Sequence, residues 1–170
     1  GLWFHKCVLV KHAITAEKAG ADGITIVGLE GTGFKNPLTN TTLVNITMAK
    51  KLLKVPIIAA GGIGDSRGFL GALALGADAV CLGTALMVTK ECPVPERIKE
   101  KWLNLDTFDE HFHKKIYTFN TKNFMAPSTA IGHLNEIVPM KTLIEEMIKN
   151  AENILHSWGF DNDEFNTLNA

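Results

Sequence analysis

The sequence predicts an α/β fold built on parallel strands, and three observations carry that prediction. The stretches 20-GADGITIVG-28 and 76-GADAVCLG-83 echo each other, and each follows an Ala-rich helical stretch, 13-AITAEKA-19 and 69-FLGALAL-75. A third run, 55-VPIIAAGG-62, follows a helical stretch around Asn45 to Leu53. All three runs are near-continuously apolar rather than alternating, as expected of strands covered on both faces. Strand, glycine turn, helix, short turn, strand is the order of βαβ units.

Taken in order, 2-LWFHK-6 supplies a first strand, which makes four strands, each followed by a helical stretch. Gly20 and Gly76 end the helices before the second and fourth strands, where a left-handed residue is wanted. In 62-GIGDSRG-68, Asp65 and Ser66 suit the cap of the next helix. The last glycine falls one place late for the dinucleotide fingerprint, so a Rossmann reading is weak. From Lys90 to about Ala126 the pattern decays, and 105-LDTFDEHFHKKIYTF-119 reads as a helical excursion. His111 and His113 stand two apart, on different faces of a helix, and read as solvated surface.

The stretch 140-MKTLIEEMIKNAENILHSWG-159 predicts a long amphipathic helix. Met140, Leu143, Ile144, Met147, Ile148, Ala151, Ile154 and Leu155 form its stripe, Pro139 its first turn and Gly159 its end. It is expected to pack on the sheet or barrel, with an exposed partner-binding stripe as the other reading. The organisation is a single domain over 1–160 with a polar tail, 161–170.

Composition narrows the function. Hydrophobic residues make up 46% and charged residues 21%, with a formal net charge of -1. Scattered Lys and Arg give no footprint for nucleic acid or an anionic membrane, and no apolar run approaches the roughly 20 residues of a membrane span. Cys7, Cys81 and Cys92 lack metal spacing and read as free thiols of a reducing compartment, so the cytoplasm is the expected location. The chain opens at Gly1 within what reads as the middle of a folded unit, and no signal peptide is visible.

The chemistry concentrates in 56-PIIAAGGIGDSRGFLGALALGADAVCLGTAL-86. One strand ends in Gly61-Gly62 and the next in Gly83-Thr84, and ligands of parallel α/β folds bind at carboxyl ends of strands. Adjacent glycines let backbone N–H groups approach an anion closely, and a helix beginning at Thr84 would add its free amides and its dipole.

At these residues the sequence resembles the nitronate monooxygenase (2-nitropropane dioxygenase) family and its FMN-dependent enoyl-ACP reductase relatives. The likeness runs from about His5 to Cys92 and resumes at 127-PSTAIGHLNEIVPMKTLIEEMIKNAENIL-155. The resemblance implies a TIM (β/α)8-barrel fold, of which this chain looks like strands five to eight, and FMN as cofactor. It implies that a missing first half, or a second copy, completes the barrel. It further implies that Gly61, Gly62, Gly83 and Thr84 hold the FMN phosphate, that Cys81 and Leu82 line the site through their backbone, that Thr32 is a cofactor contact, and that Lys6 lies near the flavin ring. The implied activity is oxidation of alkyl nitronates with molecular oxygen.

One departure stands out. Where members of the family read E-A-G-G-H or E-C-A-G-H, this chain reads 30-EGTGF-34, with Phe34 in place of the His that acts on the substrate. Phe cannot take up a proton. Val27 stands where bacterial members often have Gln. His5, His12 and His133 are the remaining candidates for a base. Three readings follow: a flavin-dependent nitronate monooxygenase, a non-catalytic flavin- or phosphate-binding barrel fragment, and a phosphate-substrate barrel without flavin, against which the family-like C-terminal helix argues.

Overall fold

The computed structural model describes residues 1–32, 40–117 and 126–160. Four strands, β1 (Phe4–Cys7), β2 (Gly23–Val27), β3 (Ile57–Ala60) and β4 (Ala79–Cys81), alternate with helices α1 (Val10–Lys18), α2 (Thr42–Leu52), α3 (Ser66–Ala74) and α4 (Thr84–Met87). The sheet is wholly parallel in the order β1-β2-β3-β4, so neighbours in sequence are neighbours in space. Helices α5 (Glu96–Leu103) and α6 (Glu110–Tyr117), a 3-10 turn (Thr129–His133) and α7 (Met140–Ser157) complete the described chain. All four predicted strands form. The expected tail, 161–170, lies outside the described residues.

Side chains of a strand alternate between faces. Cys7, Ile24, Ile26, Ile57 and Ala59 point toward α1, α2 and α3 and join Ala13, Ala16, Ile46, Ala49 and Ala72 in one core. Ile24, Ile26, Ile46 and Ile57 are fully enclosed, each worth about 1.5–3 kcal/mol of burial. The small residues of α1, α2 and α3 bring those helices close to the sheet. On the opposite face stand Phe4, Lys6, Thr25, Ile58, Ala79 and Cys81, with Phe4, Lys6, Ala79 and Cys81 exposed. A second core gathers Ala85, Val88, Trp102, Phe112, Ile116, Ile131 and Leu134 from α4, α5, α6 and the 3-10 turn.

The echo between the two GAD stretches has a structural meaning. Gly20 and Gly76 adopt φ of 96° and 104°, and each closes its helix in the same way. The amide of Ala21 donates to Ala16 O, and that of Ala77 to Ala72 O. The aspartate then clamps the preceding strand. Asp22 receives the Trp3 amide on its carboxylate (2.7 Å) and gives its own amide to Trp3 O (2.8 Å). Asp78 treats Ile57 identically, at 2.8 Å for both bonds. The Ile57 amide holds the Asp78 carboxyl below its ordinary range, helped by Lys50 at 3.5 Å.

Helix α7 packs chiefly against α3, one of the helices that cover the sheet, and not on the strands themselves, because α3 already covers that part of the sheet with Ala72. Met147 and Ala151 of the stripe are buried, while Met140 and Ile148 remain exposed. Glu91 fixes its start by receiving the Met140 amide, a bond that lowers the Glu91 pKa. Among the described residues no helix is long and apolar enough to cross a membrane.

Candidate functional site

The carboxyl ends of all four strands open into one cleft of about 170 Å3. Lys6 enters from β1, Val27 from β2, Ala60 to Ile63 from β3 and its turn, and Cys81, Gly83 and Thr84 from β4 and the start of α4. Gly31 and Thr32 form one wall, and Ser128 and Ala130 the other. Lys6, Thr32, Gly61, Gly62, Cys81, Gly83 and Thr84 therefore meet in one place. Leu82 differs, since its side chain packs into both hydrophobic cores.

The glycine turn is built for close approach. Gly61 and Gly62 sit at φ of 101° and 75°, in the left-handed region that side chains resist. A Cβ on Gly61 would lie 3.0 Å from the Gly31 amide nitrogen and from Thr42 Oγ1. At Gly83 nothing lies within 4 Å of where a Cβ would stand, so that backbone is open to a ligand. Helix α4 has only four residues. What it offers at Thr84 is amides without a helical partner; so short a helix adds little dipole.

The loop after β2 serves structure. Glu30 receives the Thr42 amide on both carboxylate oxygens (3.1 and 2.9 Å) and the Thr42 hydroxyl at 2.9 Å. That hydroxyl also lies 3.2 Å from Ala60 O and 3.0 Å from Gly61 O. Thr42 thus joins the loop after β2 to the glycine turn after β3. Gly28 is required beside it, since a Cβ there would stand 2.2 Å from Thr42 N. Gly33 and Phe34, on which the question of a base turns, lie outside the described residues.

Asn45 on α2 is completely buried and donates its amide to Val8 O and Val27 O, both at 3.4 Å. It ties together the chain leaving β1 and β2. Among the described residues its Oδ1 has no hydrogen-bond partner.

None of the three candidate histidines lines the cleft. His5 shares a strand face with Cys7 and meets Trp3 edge-on at 5.8 Å, whereas Lys6 faces the cleft. His12 is exposed on α1. His133 stands in a neighbouring cleft with Gly64 and Asp65, its Nδ1 3.6 Å from Asp65 Oδ2. Asp65 caps α3 by accepting from the Gly68 amide at 2.7 Å, as its sequence position predicts. His111 is exposed, and His113 Nε2 pairs with Thr107 O at 2.6 Å. Among the described residues no group of three or more His, Cys, Asp or Glu could hold a metal ion. Burial pushes the Cys7 thiol up, against a weaker opposing bond from the Leu9 backbone, and Cys7 faces the helices; the cleft thiol is Cys81.

Three site residues escape the sequence reading: Thr42, Asn45 and Ser128. Thr42 follows Thr41, the true N-cap of α2, and nothing in 40-NTTLVN-45 marks the second threonine as the one turned inward. Asn45 carried a usable signal, a polar residue on the apolar face of a predicted helix. Ser128 belongs to the segment 127–130, which only the fold brings to β4.

A parallel sheet with helices on one face, and a cleft at its carboxyl edge, defines a TIM-barrel-type α/β protein. Residues 5–117 match the sequence model of the nitronate monooxygenase family, and the chain belongs to that family. A relative from Rhodococcus jostii, (3aS,4S,5R,7aS)-5-hydroxy-7a-methyl-1-oxo-octahydro-1H-indene-4-carboxyl-CoA dehydrogenase, is 35% identical over 106 residues, 62% of this chain and 30% of the relative. A probable nitronate monooxygenase of Staphylococcus aureus is 34% identical over 103 residues, 56% of this chain and 29% of the relative. The matches thus span about 30% of the length of these curated relatives. The M276A mutant of FabK from Thermotoga maritima superposes with a TM-score of 0.79 at 28% identity, covering 91% of this chain and 60% of that one. Nitroalkane oxidase from Streptomyces ansochromogenes superposes with a TM-score of 0.70 at 19% identity, over 92% of this chain and 59% of that one, a likeness of fold.

Proposed function

We propose that this chain supplies the phosphate cradle and a cationic side chain of an FMN-dependent oxidoreductase of the nitronate monooxygenase type, acting on alkyl nitronates with molecular oxygen. The observation that carries the reading is the convergence of Lys6, Gly61, Gly62, Gly83 and Thr84 on one cleft at the carboxyl ends of the strands. The residues fit the group: Gly61 and Gly62 bring left-handed backbone without side chains of their own to the cleft, and at Gly83 nothing lies within 4 Å of where a Cβ would stand. FMN, when bound, supplies the electron transfer that no side chain of this cleft performs.

The chain's own residues would do three things. Backbone amides of Gly61, Gly62, Gly83 and Thr84 hold the phosphate and so fix the position of everything attached to it. Lys6 sets a positive charge beside the region where negative charge develops on reduction, and favours binding of an anionic substrate. Cys81 and Val27 narrow the cleft. Lys6 and Cys81 are the titratable groups among its described lining residues. With Phe34 at the family's histidine position, proton removal from a neutral nitroalkane lacks its usual base. A preformed nitronate needs no such step, which is why the nitronate is the proposed substrate.

The second reading, a flavin- or phosphate-binding protein without turnover, is favoured by Phe34. In either case β1 and β4 present open sheet edges among the described residues, to be completed by further strands of a longer polypeptide or by a second copy.

The test is to incubate the purified chain with FMN, desalt, record the visible spectrum, and then assay a nitronate, the matching nitroalkane and an acyl-CoA thioester, the last because of the dehydrogenase relative. Retained flavin with nitronate turnover supports the enzyme. Retained flavin without turnover of any of the three favours the binding protein. Loss of flavin on desalting, also from a chain extended at its N-terminus, refutes the cofactor assignment.

A further inference from the structure

Among the described residues, two hydroxyls at the cleft hold one hydrogen bond too few. Thr84 Oγ1 and Ser128 Oγ lie 2.9 Å apart, and their residues are 6% and 4% exposed. Thr84 Oγ1 accepts from the Ser128 amide at 2.9 Å, and Ser128 Oγ accepts from the Ala130 amide at 3.2 Å. The pair therefore has two O–H protons. Only one can lie along the line between the two oxygens, whichever of them donates. Among the described residues the other proton has no acceptor. A buried donor left unmatched costs about 1–3 kcal/mol, so a site that keeps one is expected to satisfy it with something else. Both residues line the cleft, beside Gly61, Gly62 and Gly83.

We infer that the Thr84–Ser128 pair delivers one O–H donor to a phosphate monoester seated on the glycine turn, which makes Ser128 a binding residue contributed from beyond the four βα units. Thr84 and Ser128 also couple that donor to position, because the same contacts hold the segment 128–130 against the end of β4. A donor there serves an anionic oxygen, whether it belongs to FMN or to free phosphate. As regards FMN the inference rests on the cofactor assignment above; as regards phosphate it does not.

The experiment measures Kd for FMN and for riboflavin by quenching of flavin fluorescence, and the rise in Tm given by inorganic phosphate. It uses the full chain and the variants Ser128→Ala, Thr84→Val with Ser128→Ala, and Ser128→Asp. The single alanine variant keeps the Thr84 hydroxyl, whose proton is then free to donate, so the expected loss of FMN affinity is less than about threefold. The double variant loses the donor altogether and is expected to bind FMN about tenfold more weakly, with riboflavin unchanged, since a hydrogen bond to a charged group is at stake. Ser128→Asp keeps acceptors for Thr84 and Ala130 but sets a negative charge at that point; FMN binding should fall at least as far and riboflavin stay. This variant also decides the matter if the double variant does not fold.

Equal loss of FMN and riboflavin would reduce the pair to a structural tether and overturn the inference, as would full FMN affinity in the double or the aspartate variant. If the unmodified chain binds neither flavin, the cofactor assignment is what has failed. The phosphate arm then decides alone: protection of the unmodified chain, lost in the double or the aspartate variant, upholds the donor, and protection that survives, or none at all, overturns it.

Discussion

Replacing Thr42 by Val should show how far the glycine turn depends on a residue that touches no ligand. The change keeps the shape of the side chain and deletes one hydroxyl. That hydroxyl has a single proton and three acceptors, Glu30 Oε2 at 2.9 Å, Gly61 O at 3.0 Å and Ala60 O at 3.2 Å. The carboxylate is both nearest and charged, so it takes most of the bond. A hydrogen bond to a charged group contributes about 1.5–3 kcal/mol, and Glu30 keeps the Thr42 amide, which places the loss near about 2 kcal/mol. For a chain of this size that corresponds to a fall in Tm of about 4–8 °C. The assay is urea unfolding of the unmodified chain, Thr42→Val, Glu30→Gln and the double variant. Because Thr42 and Glu30 act on each other, the double variant should lose clearly less than the two single losses added together. Strict additivity, or a Thr42→Val variant as stable as its parent, would refute the argument that this contact joins the two loops.

The remaining predictions concern other points of the same framework. Gly61→Ala sets a side chain at φ 101° and a Cβ 3.0 Å from two polar atoms; it should cost about 2–4 kcal/mol in urea unfolding and weaken FMN retention in desalting more than Gly71→Ala, whose Cβ would meet nothing within 4 Å. Lys99 is buried, and its ammonium donates to Thr89 O and Cys92 O, so Lys99→Met strands two carbonyls and should lower stability by about 2 kcal/mol or more, read by thermal melting. Asp78 and Glu91 have folded pKa values depressed chiefly by the Ile57 and Met140 amides. The unfolded chain therefore binds more protons in acid, and the stability these groups lend is full above their ordinary pKa and lost as pH falls through the lower folded values. Asp78→Asn and Glu91→Gln should flatten the plot of stability against pH between about 5 and 2; an unchanged slope would argue against both bonds.

Much of this architecture was legible because its causes are local. Apolar runs with a glycine before and after them specify buried parallel strands, and Gly20 and Gly76 announce helix ends through a backbone angle that few other residues adopt. Asp65 announces a helix start for an equally local reason. The glycines of the cleft could be read because each lies at a strand end that the pattern itself locates. What could not be read depends on contacts between distant segments. Thr42 matters through Glu30 and Gly61, Ser128 through Thr84 forty-four positions away, and Lys99 through carbonyls of another turn. Which of sheet and helices covers α7 could not be read for a related reason. An apolar stripe tells that a helix is covered but does not say by what, and α3 had already taken the sheet.

The two aspartate clamps bear on how such a chain comes apart. Asp22 locks β1 to β2, and Asp78 locks β3 to β4, each at both the N–H and the C=O of one residue. Between β2 and β3 the links have another form: Glu17, on α1, receives the Lys54 and Val55 amides from the chain that leads into β3, and Thr42 joins Glu30 to Gly61 beyond the strand ends. Each clamp thus acts within one couplet of βα units, while one core and other side chains join the couplets. Fraying should begin at the short and largely exposed edge strand β4, which amide exchange would register as earlier labelling of the Ile57 amide, bonded to Asp78, than of the Ile24 and Gly28 amides, bonded between the inner strands β2 and β3.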